Sequence, residues 1–322
     1  MGSGRWSTDV YAAAAEYRKA TGASAFAYSD SGATTVHPDL DPSGVVVRES
    51  RDSDEHPESL AIAVLFDVTG SMRRVPRTLQ TRLPDLLGLL LRKGYVEHPQ
   101  IMFGAIGDAT CDRAPLQIGQ FESDNRMDDD LGKILLEGGG GGQMTESYEL
   151  AMYFMARHTA LDCVEKRGKR GYLFIIGDEL AYPAVKRAEV ARLIGRAPKE
   201  DVPVADIVRE LQRKFEVFFI IPEGGYHAGD PRLRDFWQDL LGQNVLYLDD
   251  PAAVCETIAL TIGLGEDAID LRQGLDHLEE FGSTAGPSVS RALARLDASR
   301  APAAVSSAPA DLGTGPARHT RL

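Results

Sequence analysis

Along this chain, uninterrupted apolar runs alternate with segments whose apolar residues recur at helical spacing. A run without polar interruption is typical of a strand buried on both faces, because a strand with one wetted face alternates apolar and polar residues. The pattern predicts buried strands in five places, which read LAIAVLF from Leu60, QIMFGAIG from Gln100, GYLFIIGDE from Gly171, EVFFIIP from Glu216 and NVLYL from Asn244. A shorter candidate, Val45–Arg48, precedes them and could form an extra edge strand.

Helical patterns separate these strands. The predicted helices are Asp9–Ala20, Pro76–Lys93, Asp128–Glu137, Glu146–Lys166, Asp201–Phe215, Asp230–Leu241 and Pro251–Gly263. Strands that alternate with helices imply a parallel sheet with helices on both faces, since a parallel connection needs a crossover. The predicted fold class is therefore α/β, a doubly wound and mostly parallel sheet, with a helical C-terminal extension.

The same alternation of apolar runs and helical patterns predicts the domain organisation. The predicted segments are an N-terminal extension at 1–43, the α/β domain at 44–265, a helical extension at 266–298 and a tail at 299–322. The helical extension contains predicted helices at Glu266–Phe281 and Val289–Leu296. The tail is rich in Ala, Pro, Ser and Gly, and we predict that it is disordered because it buries too little apolar surface.

The composition and charge of the chain argue against some classes of function. The chain has 322 residues and a formal net charge of −13, which argues against nucleic acid as a main partner, because phosphate binding requires clustered cations. Its three cysteines lie far apart and its histidines form no HExxH pair, so neither a disulfide framework nor a zinc site is indicated. No signal-peptide core and no apolar run long enough to span a bilayer is visible, which predicts a cytoplasmic protein without a membrane span.

Short oxygen-bearing side chains follow the first buried strand at alternate positions. In LFDVTGSM these are Asp67, Thr69 and Ser71, and another acid, Asp178, follows the strand GYLFII. A glycine run, Gly138–Gly142, precedes a predicted helix. The carboxyl ends of parallel strands and the N-termini of the following helices lie at one edge of such a sheet. Since carboxylate and hydroxyl oxygens suit hard divalent cations, these segments are predicted to converge on one metal ion.

The motif DVTGSM resembles the metal-ion-dependent adhesion site of von Willebrand factor type A domains, of the bacterial intracellular type. The resemblance spans roughly Gly44–Gly265 and includes the succession of strands and helices, the glycine run and the IIGDE strand end. It implies three metal-binding segments. Asp67, Thr69 and Ser71 form the first, Thr145 forms the second and Asp178 forms the third.

The resemblance implies a non-catalytic module that binds Mg²⁺, Mn²⁺ or Ca²⁺ and uses the ion to bind an acidic residue of a protein partner. The resemblance also implies an AAA+ ATPase or a component of a multi-subunit assembly as that partner. The chain departs from the family at the second segment, which reads GGGGGQMTES, so either Gln143 or Thr145 supplies the ligand there. Asp108, after the second buried strand, is predicted to lie near the site in a supporting role.

A haloacid-dehalogenase-like, Mg²⁺-dependent phosphohydrolase is the main alternative, because LFDVTGSM also resembles its DxDGT motif, with Asp67 as nucleophile. Such enzymes need an acidic pair after a later strand, and GDELAYP supplies Asp178 and Glu179 without a following acid. A phosphate-binding loop fits less well, because GGGGGQMT carries Gln143 and Met144 where that motif has glycine and lysine.

Each of these side chains also has an ordinary structural explanation. Thr69 and Ser71 could cap the helix that follows them, and Asp178 could cap its own turn. Three neighbouring polar residues are interpreted as caps or rim residues: Glu146, Ser147 and Glu179. The coincidence of all these residue types at one predicted sheet edge favours the metal site over a set of unrelated caps.

Overall fold

The computed structural model describes residues 4–72, 74–138, 144–225 and 227–300. Its strands, in chain order, are β1 (Arg48–Ser50), β2 (Leu60–Asp67), β3 (Pro99–Ile106), β4 (Leu116–Ile118), β5 (Thr145–Glu146), β6 (Thr159–Leu161), β7 (Gly171–Ile176), β8 (Leu180–Ala181), β9 (Ala184–Val185), β10 (Val202–Pro203), β11 (Phe215–Pro222) and β12 (Val245–Leu248). Its helices are α1 (Thr8–Thr21), α2 (Ala27–Asp30), α3 (Arg74–Leu87), α4 (Arg126–Gly132), α5 (Tyr148–Arg157), α6 (Asp162–Glu165), α7 (Arg187–Leu193), α8 (Val204–Leu211), α9 (Pro231–Leu241), α10 (Val254–Gly265), α11 (Leu271–Glu280) and α12 (Gly286–Arg300).

Within the described residues, the main sheet has six strands in the order β12-β11-β7-β2-β3-β4. Neighbouring strands are parallel, except that β4 runs antiparallel to β3. This sheet, flanked by helices, confirms the predicted α/β class. From β2 the chain moves to β3 on one side and later to β7, β11 and β12 on the other. The carboxyl ends of β2 and β7 therefore mark the switch point at which folds of this kind bind ligands.

The core includes the central strands and parts of both chain extensions. Every residue of β2 and β3 is buried, which explains why their sequences do not alternate between apolar and polar residues. From the N-terminal extension, Phe26 and Leu40 are fully buried in the same hydrophobic cluster, and the Tyr11 hydroxyl donates to the Gln80 carbonyl at 2.6 Å. Helix α3 packs against α10, and α5 packs against α8.

The single predicted helix Glu146–Lys166 is only partly right, because strands interrupt it and divide it into α5 and α6. β5 pairs with β8, so α5 begins only at Tyr148. α5 ends at Arg157 because the next residues form β6, which pairs with β1 in a parallel two-stranded sheet. The Thr159 hydroxyl donates to the carbonyl of Met155 at 2.6 Å, which closes the helix end as β6 begins.

Two other predicted elements also need correction. The strand candidate Val45–Arg48 overlaps β1 only at Arg48, and β1 pairs with β6 rather than with the edge of the main sheet. The predicted helix Asp128–Glu137 is too long, since α4 ends well before its last residue. The side chain of Gln117 binds the segment after α4, donating to the Leu135 carbonyl and accepting the Leu135 N–H, both at 2.8 Å.

Helices α11 and α12 occupy the predicted C-terminal extension, and α12 packs against β12 and α10. α12 continues to Arg300, through the first residues of the predicted disordered tail, and 301–322 lie outside the described residues. Of the helices that the structure describes, none is long and apolar enough to cross a membrane.

Candidate metal centre

Asp67 is the last residue of β2 and is fully buried at the switch point. Its Oδ1 accepts the backbone N–H of Thr69 at 2.7 Å, and its Oδ2 accepts the hydroxyl of Tyr148 at 3.1 Å. The pKa of the Asp67 carboxyl is raised to about 7, chiefly because the group is buried and also because of the charge of Asp178; the hydrogen bonds from the Thr69 N–H and the Tyr148 hydroxyl act in the opposite direction. A nearby cation would stabilise the charged form of this poorly hydrated carboxylate.

The turn after Asp67 buries a hydroxyl that has no hydrogen-bond partner in the described part of the chain. Gly70–Met72 form a single 3-10 turn, closed by the N–H of Met72 donating to the Thr69 carbonyl at 3.1 Å. Thr69 is 2% exposed, and its Oγ1 has no hydrogen-bond partner among the described residues. Thr69 therefore does not act as a helix cap. The side chain of Ser71 lies outside what the structure describes, so its role as a ligand stays a prediction.

The glycine-rich segment begins beside the first loop and ends beside the third. Gly138 donates its N–H to the Val68 carbonyl at 3.3 Å, directly after Asp67. Leu180 donates its N–H to the Met144 carbonyl at 2.9 Å, shortly after Asp178. The described ends of this segment thus connect the exits of β2 and β7.

Thr145 lies in β5, directly beside the chain that follows Asp178, with Leu180 as its partner in the strand register. Its side chain is partly buried. Gln143 and residues 139–142 lie outside the described part of the chain. The choice between Gln143 and Thr145 as the second-segment ligand therefore stays open.

Asp178 follows β7 and is fully buried. Its Oδ2 accepts the backbone N–H of His227 at 3.3 Å. A Cβ on Gly225 would lie 2.5 Å from Asp178 Oδ2, and one on Gly177 would lie 2.0 Å from the Tyr148 hydroxyl oxygen. Because no side chain can occupy such distances, the close approach of these loops requires glycine at both positions.

The strand register explains why the two aspartates are neighbours. β2 and β7 pair in parallel with Phe66 opposite Ile176, so Asp67 and Asp178 both lie just beyond that pair. Their carboxyl groups interact electrostatically. The structure therefore brings together Asp67, Thr69 and Asp178, with Thr145 on the adjacent segment, as the sequence predicts.

Two further acids, Glu146 and Glu179, lie inside this cluster, so their interpretation as caps or rim residues is wrong. Glu146 is 2% exposed and Glu179 is 7% exposed, and the Oε2 atom of each lacks a hydrogen-bond partner among the described residues. Burial raises the pKa of both carboxyl groups, and the charge of Asp67 raises both further. Sequence reasoning missed them because a two-residue strand such as β5 has no periodicity that shows which side chain is buried.

Asp108 and Ser147 make hydrogen bonds at the edge of the site. Asp108 accepts the N–H of Thr110 on Oδ1 at 2.7 Å and the hydroxyl of Tyr182 on Oδ2 at 3.0 Å. The supporting role of Asp108 at a metal site stays a prediction. The Ser147 Oγ accepts the N–H of Ala109 at 2.9 Å and makes no capping bond to α5, so Ser147 is a rim residue and not a cap.

The donor set fits a hard cation held by few acids. In the part of the chain that the structure describes, no group of three or more His, Cys, Asp or Glu side chains is placed to hold a metal ion. A centre of two aspartates and several hydroxyl groups contains only two acids, so it is not a group of that kind. Carboxylate, hydroxyl and water oxygens all suit Mg²⁺ as ligands. The buried, unpaired Thr69 Oγ1 beside Asp67 fits such a set.

No protein-family model matches this chain, and no curated protein matches it either. Among solved structures, the open conformation of the pilus adhesin SpaC from Lactobacillus rhamnosus GG is similar, with 9% identity and a TM-score of 0.46. That match covers 67% of this chain and 31% of the adhesin.

Proximal thread matrix protein 1 from the mussel byssus is also similar, with 12% identity and a TM-score of 0.41. The match covers 63% of this chain and 47% of the mussel protein. This chain thus spans about a third of the adhesin and about half of the mussel protein. Neither similarity is close enough to support an inference about function.

Proposed function

We propose that this chain is a von Willebrand A-like module that binds a divalent cation, Mg²⁺ or in its place Mn²⁺ or Ca²⁺. The module would use the ion to hold an acidic side chain of a protein partner in an intracellular assembly, without catalysing a reaction. The proposed metal ligands are Asp67, Thr69, Ser71, Thr145 and Asp178. The partner would be an AAA+ ATPase or a subunit of a larger complex.

The observation that carries the proposal is the Thr69 hydroxyl. A buried polar atom without a hydrogen bond costs about 1–3 kcal/mol. The Thr69 Oγ1 lies next to the buried Asp67 carboxyl at the switch point of the sheet, where ligands of α/β folds bind. A cation between Thr69, Asp67 and Asp178 would satisfy the hydroxyl and reduce the repulsion between the two acids.

The proposed ligand set would also explain how the ion binds an acidic group of a partner protein. Octahedral Mg²⁺ takes about six oxygens, one more than the proposed side chains supply. The hydroxyl ligands add no negative charge. A carboxylate from another protein would therefore find an open position on an ion that still attracts anions.

A cleft of about 390 Å³ next to the site offers room for a partner segment. The loop between β11 and α9 separates the two, since its Gly225 touches Asp178 and also lines the cleft. Arg234 and Arg291 line the cleft as well, and the Arg234 guanidinium lies 4.8 Å from the centre of the Tyr247 ring. These side chains provide contacts for residues that flank the acid of the partner.

Isothermal titration of the full chain with MgCl₂ tests the site. Asp67→Ala should weaken Mg²⁺ binding by at least about tenfold, because it removes a central ligand. Asp239→Ala, at an exposed position on α9, is the matched control and should bind as the wild type does. Unchanged binding by a folded Asp67→Ala chain, as judged by circular dichroism, would contradict the proposal.

Capture from a lysate of the source organism, with and without EDTA, tests the partner. We expect a protein that binds the wild type and Asp239→Ala only when the metal is present, and that does not bind Asp67→Ala. Hydrolysis of p-nitrophenyl phosphate that disappears in Asp67→Asn would instead favour the phosphohydrolase.

A further inference from the structure

We propose that Tyr148 is a positioning residue of the metal site. Its hydroxyl fixes the orientation of the Asp67 carboxylate, and the fixed carboxylate makes the site select Mg²⁺ over Ca²⁺. This inference rests on the proposed function, because it concerns the ion bound by Asp67. It adds a residue outside the proposed ligand set and a preference between two ions that the proposed function leaves open.

Hydrogen bonds hold both oxygens of the Asp67 carboxylate. Oδ1 accepts the backbone N–H of Thr69 at 2.7 Å, and Oδ2 accepts the Tyr148 hydroxyl at 3.1 Å. Thr69 belongs to the same loop as Asp67, whereas Tyr148 lies 81 residues further along the chain, at the start of α5. Because each oxygen has its own donor, the carboxylate cannot rotate without losing a hydrogen bond. The donor from Tyr148 is the one that only the tertiary fold supplies.

The Tyr148 side chain is itself closely packed. It is fully buried, and its ring makes edge-to-face contacts with Phe219 and Trp237, with ring centroids 5.4 and 5.6 Å away. Phe219 and Trp237 stack on each other with centroids 3.7 Å apart. A Cβ on Gly177 would lie 2.0 Å from the Tyr148 hydroxyl oxygen, so the main chain passes directly beside it. Since dense packing leaves this ring little freedom, its hydroxyl is a fixed donor for Asp67.

The same aromatic cluster is attached to the chain that follows β7. The Trp237 indole N–H donates to the backbone carbonyl of Glu179 at 3.0 Å. Glu179 directly follows Asp178, the other proposed aspartate ligand. The contacts of Tyr148 therefore fix Asp67, at the end of β2, relative to the exit of β7.

Two other buried tyrosines show how a hydroxyl serves the fold alone. Tyr11 donates to the Gln80 carbonyl at 2.6 Å, and Tyr153 donates to the Arg196 carbonyl at 3.4 Å. Tyr148 donates to a buried carboxylate instead. A hydrogen bond to a carboxylate is stronger than one to a neutral carbonyl, and it orients a group that can bind a cation.

A fixed Asp67 favours Mg²⁺ because the two ions differ in the geometry that they tolerate. Mg²⁺ requires nearly ideal octahedral geometry at about 2.0–2.1 Å, whereas Ca²⁺ accepts about six to eight oxygens at about 2.3–2.6 Å in flexible arrangements. Hydrogen bonds that orient a metal ligand typically change the metal affinity by about 10–100-fold when they are removed. Loss of the Tyr148 hydroxyl should therefore weaken Mg²⁺ binding more than Ca²⁺ binding.

Titration of the full chain with MgCl₂ and with CaCl₂ tests the inference. The wild type should bind Mg²⁺ more tightly than Ca²⁺. Tyr148→Phe keeps the ring and removes the hydroxyl; it should lower the Mg²⁺ affinity by at least about tenfold and the Ca²⁺ affinity by less. Tyr153→Phe is the matched control, because Tyr153 is also buried on α5 but donates to a backbone carbonyl. This variant should bind both ions as the wild type does.

Urea denaturation in EDTA tests the hydrogen bond in the absence of metal. Tyr148→Phe should lower the midpoint of unfolding, because the buried Oδ2 of Asp67 loses its donor. Tyr153→Phe should lower it less, since its hydrogen bond is longer and its acceptor is neutral. An unchanged midpoint for Tyr148→Phe would overturn the inference.

Three titration results would also overturn it: wild-type Mg²⁺ affinity in Tyr148→Phe, equal losses of Mg²⁺ and Ca²⁺ affinity in that variant, or a wild type that prefers Ca²⁺. Equal losses would indicate that Tyr148 only supports the fold. The Asp67→Ala chain separates this inference from the proposed function. If it loses binding while Tyr148→Phe behaves as the wild type, the inference alone fails, whereas normal binding by a folded Asp67→Ala chain refutes the proposed function.

Discussion

At the residue scale, the Thr69 hydroxyl is buried without a hydrogen bond to any residue that the structure describes, and valine has nearly the same shape without the oxygen. Thr69→Val should raise the unfolding free energy of the metal-free protein by about 1 kcal/mol, because it removes the desolvation cost of an unpaired polar group. The same change should weaken Mg²⁺ binding by at least about tenfold, because it removes a ligand. Urea denaturation in EDTA measures the first effect, and isothermal titration measures the second.

Thr257→Val is the control for this substitution. Thr257 is also fully buried, but its hydroxyl donates to the Ala253 carbonyl at 2.8 Å. Its replacement should lower the unfolding free energy by about 1 kcal/mol and leave the Mg²⁺ affinity unchanged. If Thr69→Val behaved like Thr257→Val in both measurements, Thr69 would be an ordinary buried threonine.

Individual residues of the site differ in how well the sequence predicts them. Asp67 and Asp178 directly follow long apolar runs, so the sequence alone places both at the carboxyl ends of strands. Glu146 and Glu179 stand one residue after predicted ligands, and the sequence does not show that they are buried with them. Side-chain direction in such short irregular segments depends on contacts between distant parts of the chain, which no local pattern encodes.

At the scale of single elements, strands buried on both faces are predicted best. All five long apolar runs are strands in the structure, because burial on both faces leaves a continuous apolar sequence. The apolar pattern does not predict the two-residue strands β5, β8, β9 and β10, since they are defined only by their pairing. The predicted helix Pro76–Lys93 is α3 followed by a π-helical turn at Gly88–Arg92.

The connection between β1 and β2 depends on a carboxylate at Asp52. It accepts hydrogen bonds from Arg167 at 2.8 and 3.1 Å, from Lys166 at 3.1 Å and from the Ser59 hydroxyl at 2.8 Å. Burial raises the pKa of Asp52, but these bonds outweigh it and hold the pKa well below its usual range. The stabilisation of the folded state by Asp52 is therefore complete above the pKa of this carboxyl in the unfolded chain, at about pH 4. It is lost as the pH falls toward the lower pKa of Asp52 in the folded protein.

Asp52→Asn should lower the unfolding free energy at pH 7 by about 2 kcal/mol, because it weakens hydrogen bonds to charged groups. The difference between variant and wild type should shrink at about pH 3, where protonation of the unfolded state removes part of the advantage of the wild type. Urea denaturation at both pH values measures this. Exposed Asp276→Asn should show little change at either pH, and a constant difference for Asp52→Asn would contradict the assigned role.

At the scale of the whole molecule, the sequence predicts the fold class but not the order of the strands. Alternating strands and helices imply a parallel sheet, and the structure confirms one. The position of the switch point between β2 and β7 depends on which strands pair across long stretches of chain. The sequence therefore shows that polar residues meet at one sheet edge, whereas the structure shows which strands bring them together.

The C-terminal helices belong to the same hydrophobic cluster as the sheet. Leu293 of α12 is fully buried in that cluster, although it lies in the predicted extension. Leu293→Ala should lower the unfolding free energy of the whole chain by about 2–5 kcal/mol in a single cooperative transition, because it leaves a cavity in a shared core. Circular dichroism during urea denaturation measures this.

Ala294→Gln, at the neighbouring exposed position of α12, is the control and should change the unfolding free energy by no more than about 0.5 kcal/mol. An early partial transition in the Leu293→Ala chain, with the remainder unfolding like the wild type, would instead indicate that the extension folds separately.

Gly177 and Gly225 leave no space for a methyl group beside the Tyr148 hydroxyl and the Asp178 carboxyl. At these two points the surroundings of the acids are main chain alone and cannot be remodelled by substitution without displacing Asp178 or Tyr148. Engineers who wish to change what the site binds would have to begin at positions such as Thr69, which presents a replaceable side chain.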